Sequence, residues 1–307
     1  MFDRMLVMAE TRPAYRSGFV AVLGKPNVGK STLMNAILGQ KVAAVSHRPQ
    51  TTRKRQLGIL TSPNAQIIFV DTPGVHSPKH KLGGKMVQQA VDTLAECDLI
   101  LILLDASMPL DSEDHLLAGL IQSTNVRTPY LVVHNKIDRV DPALRLQRRE
   151  EALQLLPNAD LLEISATRGD GLDQLLTEIT TRLPENPPFY PEEQVTDLYE
   201  KEIAADLIRE AALLLLRDEV PHGIAVRIDE YTERGEEGAY IEATLLVERD
   251  SHKGIVIGKG GGMLKKIGSV ARQNIEQMSG RKVYLRLRVK VQPLWRDDER
   301  VLRWFGY

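Results

Sequence analysis

The chain has 307 residues, 43% of them apolar and 26% charged, and a formal net charge of −1 at neutral pH. That length exceeds what one ordinary core fills and suits two, while the composition excludes a disordered, fibrous or disulfide-framed chain. A near-zero total charge does not exclude a nucleic-acid partner, because a whole-chain sum hides local asymmetry.

Residues 1–16 read as an N-terminal extension whose opening, MFDRMLVMAE, interleaves acids with apolar positions and lacks the continuous core of a secretory signal. From 17 to 183, short apolar runs alternate with amphipathic stretches, and FVAVLG, IIFVD, LILLD, YLVVH and LLEIS read as strands. Near-continuous runs of this kind, separated by helical periods, describe buried parallel strands, so one doubly wound α/β domain is expected.

The first strand runs straight into GKPNVGKS at 24–31, and the helix STLMNAIL follows. GxxxxGK[ST] between a strand and a helix is a phosphate loop. Gly24 and Gly29 let the backbone through Lys25, Pro26, Asn27 and Val28 curl and aim its N–H groups at phosphate oxygens. The helix start at Lys30, Ser31 and Thr32 adds positive dipole. Lys30 is expected to bridge the β and γ phosphates and the Ser31 hydroxyl to take a Mg2+ site. Asn27 offers an amide oxygen for a K+ ion, against the plainer reading of a loop hydrogen bond.

SHRPQTTRKRQ at 46–56 is polar and basic without a clear period, as expected of a switch ordered only by ligand. Thr52 is taken as its magnesium-contacting hydroxyl, with Thr51 as the alternative. DTPG at 71–74 then follows the strand QIIFV, which places Asp71 at a strand's carboxyl end, where ligands of open α/β sheets collect. Asp71 reads as a magnesium carboxylate acting through water and the Gly74 N–H as a γ-phosphate donor, with Thr72 and Pro73 shaping the loop. Lys30, Thr52, Asp71 and Gly74 are the residues expected to carry catalysis. Cys97, the single cysteine, reads as a buried filler in a reducing compartment, and the apolar run 99–104 is closed by Asp98 and Asp105, far short of a membrane span.

NKID at 135–138 follows YLVVH and gives base choice a cause. The Asp138 carboxylate can accept from the N1–H and exocyclic amine of guanine, a donor pair adenine lacks. Asn135 is expected to tie this loop to the phosphate loop, and Lys136 to cover the base with its aliphatic stem. ISA at 164–166 places Ser165 and the Ala166 N–H beside the guanine carbonyl. Val75 stands where a Ras-like GTPase carries the glutamine that orients attacking water, so slow intrinsic hydrolysis is expected.

Residues 184–197, with prolines at 184, 187, 188 and 191, read as a stiff linker. A second unit spans 198–292: a helix over LYEKEIAADLIREAALLLL, strands AVRIDEYTE and YIEATLLVE joined by the turn RGEEG, a strand-like run IVI before a glycine turn, a helix near 263–278, and the strand KVYLRLRVKV. The expected order is α-β-β-α-β. Residues 252–290 carry ten lysines and arginines against the single acid Glu276. Gly258-Lys259-Gly260-Gly261 has the GxxG form by which backbone approaches a sugar-phosphate chain, with Ile255, Val256 and Ile257 as an apolar floor for bases. The expected RNA contacts are Ile257, Gly258, Lys259, Gly260, Gly261, Lys265, Lys266 and Arg288. In the tail, 293–307, Trp295 and Trp304 suit either base stacking or packing onto the module, with packing preferred for Trp295.

Together GKPNVGKST, QTTR, DTPGV, NKID and ISA, then VERDSHKGIVIGKGG and KVYLRLRVKV, resemble the Era family of bacterial GTPases across essentially the whole chain after about residue 16. The resemblance implies an α/β P-loop GTPase domain with a doubly wound, mostly parallel sheet, followed by a smaller α+β KH domain of type II. It implies GTP or GDP and Mg2+ as ligands, and single-stranded RNA near the three-prime end of small-subunit ribosomal RNA as partner during assembly of the small ribosomal subunit. It also implies a cytoplasmic protein with peripheral contact at the inner membrane. A monomer that binds RNA and not DNA is expected. The competing reading is a signalling switch acting through protein or membrane. An RNA-modifying enzyme is disfavoured, because no metal cluster, cofactor fingerprint or nucleophile-base pair stands outside the GTP site.

Overall fold

The computed structural model describes residues 14–41, 43–44, 56–72, 81–123, 128–157, 159–217, 220–233 and 238–305. Thr51, Thr52, Pro73, Gly74 and Val75, the first switch up to residue 55 and residues 234–237 of the RGEEG turn lie outside them. Among the described residues the strands form two sheets, one of six and one of three.

The larger sheet contains β1 (Arg16–Gly24), β2 (Gln56–Ser62), β3 (Ala65–Asp71), β4 (Leu99–Asp105), β5 (Tyr130–Asn135) and β6 (Asp160–Glu163), in the order β2-β3-β1-β4-β5-β6. All pairings are parallel except β2 with β3. Each central strand buries both faces. Ala21, Leu23, Ile100, Ile102 and Val132 pack under α2 (Lys81–Glu96), α3 (Ser112–Ser123) and α4 (Arg145–Leu155). Val20, Val22, Leu99, Leu101 and Leu131 pack under α1 (Lys30–Leu38) and α5 (Leu172–Arg182). This two-sided burial is why the strands read as unbroken apolar runs. Cys97 is buried in the first of these cores.

The proline-rich segment is docked, not free. Ile59 N–H donates to Val195 O at 2.8 Å and Leu57 N–H to the Asp197 carboxylate at 2.9 Å, so the linker covers the β2 edge. The Gln66 side chain accepts from Phe189 N at 2.7 Å and donates to Tyr190 O at 2.9 Å. Edge N–H groups that would otherwise invite pairing with another chain are thereby satisfied.

The smaller sheet contains β7 (Ala225–Glu233), β8 (Ala239–Val247) and β9 (Val283–Val291), with β7 antiparallel and β9 parallel to the central β8. One face carries α6 (Glu200–Leu215), α7 (Asp250–Ile257) and α8 (Gly262–Ser279). Ile203, Leu207, Val256, Ile267 and Ile275 pack there on Ile241, Ala243 and Leu245. The run expected to be strand-like before the glycine turn is the helix α7, which corrects the order to α-β-β-α-α-β. Three apolar residues are too few to choose between period 2 and period 3.6. The helical turn buries Val256 and leaves Ile255 exposed, so the expected floor of three side chains does not exist.

On the opposite face of this sheet, Ala225 and Leu246 share a buried cluster with Trp295 and Leu302 of the tail and with Leu82 and Met86 of α2. Trp295 is fully buried and donates from Nε1 to Gly223 O at 2.8 Å. Leu82 N–H donates to Arg296 O at 3.2 Å, and Lys41 Nζ lies 2.9 Å from Glu210 of α6. Among the described residues no helix is long and apolar enough to cross a membrane.

Candidate functional site

At the carboxyl end of the parallel strands, the loop 24–30 wraps back on itself. Gly24 has no room for a side chain, since a Cβ would lie 2.7 Å from Val28 Cγ1 and 2.9 Å from Leu103 O. Gly29 adopts φ 108°, and a Cβ there would come within 2.3 Å of the Asn135 amide. Asn27, at φ 65°, takes the left-handed region without being glycine, and such outliers concentrate at functional sites. Lys30 opens α1 with its side chain buried along the loop, where Nζ donates to Gly24 O at 2.9 Å and Lys25 O at 3.1 Å. Burial pushes its ammonium down to a pKa of about 8.

Beside it, Ser31 Oγ donates to Asp71 Oδ2 at 3.3 Å, and Asp71 is fully buried. A hydroxyl and a carboxylate converging below a phosphate loop are hard oxygen donors. They suit Mg2+, which takes one or two protein oxygens and completes its octahedron with water and phosphate. Thr72 is occupied differently: its hydroxyl donates to Val22 O at 2.9 Å and pins the end of β3 to β1.

The base loop is joined to the phosphate loop through side chains. Asn135, 2% exposed, donates from Nδ2 to Val28 O at 2.9 Å and accepts at Oδ1 from Ala166 N–H at 3.1 Å, so one carboxamide links three loops. Lys136, at φ 65°, extends across the phosphate loop and places Nζ 2.7 Å from Asn27 O and 2.5 Å from Asp105 Oδ2. The Asp138 carboxylate accepts from Ser165 Oγ at 2.6 Å, and that bond holds its carboxyl below the usual carboxylate range. It therefore presents a charged acceptor at neutral pH.

Sequence reasoning missed three acids here. Asp105 ends the strand LILLD, and its strand-end position was a usable signal. Asp111 and Asp114 have no motif. They grip Lys25 Nζ at 2.8 and 2.7 Å, clamping the phosphate loop to the start of α3. Burial alone would lower the Lys25 pKa, but these two partners outweigh it and raise it.

In the second unit the glycine turn joins α7 to α8. Gly258, at φ 73°, sits where a Cβ would come within 2.7 Å of Met263, and Lys259, Lys265 and Lys266 are exposed around it. Arg288 is not brought to this turn. Alternation along β9 sends Leu285, Leu287 and Val289 to the helix layer and Arg288 to the other face, where it meets Glu242 at 2.8 Å. Acids distant in sequence also partner the basic window: Glu200 with Arg281 at 2.5 Å, and Glu242 with both Arg286 and Arg288.

Each half of the molecule thus holds a glycine-shaped backbone turn, the form in which backbone N–H groups approach phosphate. The class is a P-loop GTPase fused to a KH domain. A family model described as a 50S ribosome-binding GTPase matches residues 19–136 and a KH-domain model matches 219–296. GTPase Era of Ruminiclostridium cellulolyticum is 45% identical over 295 residues, covering 96% of this chain and 98% of its own. The chain belongs to the Era family of GTPases. Two solved structures, each 43% identical, cover 95% of this chain and 99% of their own. Era in complex with MgGDPNP and nucleotides 1506–1542 of 16S ribosomal RNA has a TM-score of 0.90, and an Aquifex aeolicus Era variant bound to GDP·AlF4− has 0.89.

Proposed function

We propose that this GTPase is a nucleotide-driven RNA-binding factor that acts at the three-prime end of small-subunit ribosomal RNA during assembly of the small ribosomal subunit. Its two working units are residues 17–183 and 198–292. The extension 1–16 precedes them, 184–197 links them and the tail 293–307 follows. The observation that carries the reading is the buried cluster between α2, which leads out of the DTPG segment, and the tail of the RNA module: Leu82 and Met86 against Trp295 and Leu302. A shift of α2 on γ-phosphate binding reaches the KH domain directly, because packed cores respond by switching arrangement and not by stretching. The family relative that carries both MgGDPNP and a 16S segment supports the same pairing of ligands.

In the nucleotide site, Lys30 gives up its loop carbonyls for the β and γ phosphates, Asp138 reads guanine, and Ser31 and Asp71 hold Mg2+, which supplies charge neutralisation when bound. The hydroxyl of Thr52 and the N–H of Gly74 complete the catalytic set. In the RNA module, Ile257, Gly258, Lys259, Gly260, Gly261, Lys265 and Lys266 take the single strand. The factor works as a cytoplasmic monomer, and peripheral contact with the inner membrane would register as cosedimentation with anionic vesicles.

The test is RNA affinity measured with GTP, with GDP and without nucleotide, each over a salt titration. Tighter binding in one nucleotide state, weakening as salt rises, is the expected result. Equal, salt-independent binding in all three states would overturn the reading.

A further inference from the structure

The KH sheet has a second face that the GxxG turn cannot serve. At the β7 end it is covered by the tail and α2, through Ala225, Leu246, Trp295 and Leu302. Toward β9 it lies open. Lys282, Tyr284, Arg286, Arg288 and Lys290 are exposed at every second position, while the residues between them face the helices. Successive side chains of such a row stand about 6.6 Å apart along a strand, comparable with the step between neighbouring phosphates of a stretched nucleic-acid strand.

Aromatic rings stand among these cations. Tyr240 of β8 and Tyr284 of β9 are stacked, with centroids 5.6 Å apart and planes 12° from parallel. The Tyr284 side is open, because that residue is 68% exposed. Opposite the row stands Glu242, shared by Arg286 at 3.5 Å and Arg288 at 2.8 Å, with Glu230 paired to it across the strands. Toward β7, Asp229 is bound to Thr244 and Arg227, so β9 itself, with Arg286, Arg288 and Lys290 and no acid on this face, keeps a cationic surplus. Next to the tyrosine pair is a recess of about 290 Å³ lined by Tyr240, Tyr284, Lys282, Arg272 and Glu276. Arg272 and Glu276 belong to α8 in the helix layer and Tyr240 and Tyr284 to the open face, so the recess lies at the end of the sheet where β8 and β9 begin.

We propose that the open face of the KH sheet is a second RNA-contact surface. There the stacked Tyr240–Tyr284 pair receives a base, and Lys282, Arg286, Arg288 and Lys290 receive the phosphates of RNA flanking the stretch held at the GxxG turn. The chemistry is that of non-sequence-specific RNA grooves: a row of cations tracking the backbone, with an aromatic platform that accepts any base. A GxxG turn clamps only about four nucleotides, so a longer RNA leaves chain to be held elsewhere. The inference rests on the reading of this module as RNA-binding.

The test uses the full chain with two probes: RNA of nucleotides 1506–1542 of 16S ribosomal RNA, and a single strand of about five nucleotides from its three-prime end, short enough for the GxxG side alone. The variants are Tyr284→Ala and the double variant Arg286→Gln/Lys290→Gln. Each is expected to weaken binding of the long RNA about tenfold or more, and the double variant to flatten the slope of log affinity against log salt by about 1 to 2. Short-strand affinity and GTP hydrolysis should stay within about twofold of the parent. Glu242→Gln supplies the opposite sign: removing the acid that pairs with Arg286 and Arg288 should tighten the long RNA, whereas damage to the fold would loosen both probes. Unchanged long-RNA affinity in the β9 variants would overturn the proposal. So would parallel loss of both probes, and so would intact RNA binding with failure to cosediment with small subunits, which would assign the face to a ribosomal protein. If the parent chain ignores the short strand, the GxxG reading itself fails, a result distinct from any of these.

Discussion

Replacing Asn135 by alanine tests the site at its most connected point. The carboxamide donates to Val28 O at 2.9 Å and accepts from Ala166 N–H at 3.1 Å, in a setting that is 2% exposed. Alanine leaves one buried carbonyl and one buried amide without these partners, and each such loss costs about 1–3 kcal/mol. The space vacated lies directly against Gly29, where a Cβ would come within 2.3 Å of the amide nitrogen, so water can enter and recover part of this. A stability loss of about 2–4 kcal/mol is therefore expected from the unpaired groups after that recovery. GTP affinity should fall about 10- to 100-fold as the base and phosphate loops lose their mutual alignment. Denaturant unfolding without nucleotide and titration with a fluorescent guanine nucleotide separate the two effects. Asn135→Asp keeps an acceptor for Ala166 N–H but loses the donor to Val28 O, so it should retain part of both. Asn135→Ala with stability unchanged and GTP binding within twofold of the parent would refute the claim that this side chain holds the pocket together.

The remaining predictions address the base, the proton, the coupling and the cation. Asp138→Asn turns an acceptor toward guanine's two donors into a donor; GTP affinity should drop about 100-fold or more, and xanthine nucleotide, which offers a carbonyl there, should bind better, with unchanged GTP affinity removing the basis for guanine choice. Lys30 has a folded pKa of about 8 against an ordinary 10.5. The unfolded chain therefore keeps this proton to higher pH, and stability without nucleotide should rise between those values. GTP needs the ammonium, so above pH 8 binding must take up a proton and weaken by up to about tenfold per pH unit; calorimetry at pH 9 in buffers of different ionisation heat checks this, and absence of proton uptake would contradict it. Trp295→Ala should destabilise the chain by about 3–5 kcal/mol and shrink the difference in RNA affinity between GTP and GDP states. Trp295→Phe should restore most packing without the bond to Gly223, and an unaltered GTP-to-GDP ratio in a folded alanine variant would break the proposed link through α2. Finally, single-turnover hydrolysis should run faster in potassium than in sodium if Asn27 helps hold a cation, and equal rates would leave that residue as a loop hydrogen bond.

The sequence alone was enough for the parallel strands and for the nucleotide motifs. Both are local: a two-sided buried strand must be apolar throughout, and a phosphate loop needs its glycines and lysine at fixed offsets on one continuous backbone. The class of ligand followed, because Asp138 and Lys30 act through chemistry that belongs to the residue type. What folding alone decided are relations between distant segments. The antiparallel β2, whose edge the linker covers, depends on Leu57 and Ile59 meeting Asp197 and Val195 across the chain. The helix α7 was hidden in three apolar residues that fit either period, and only the burial of Val256 chose one. Lys25 finds Asp111 and Asp114, and Arg288 finds Glu242, through contacts no motif records. The basic window 252–290 looked like a single surface in one dimension. In three, strand alternation divides it between two faces of a sheet, since neighbouring side chains on a strand must point in opposite directions and only the helix layer determines which of those directions is covered.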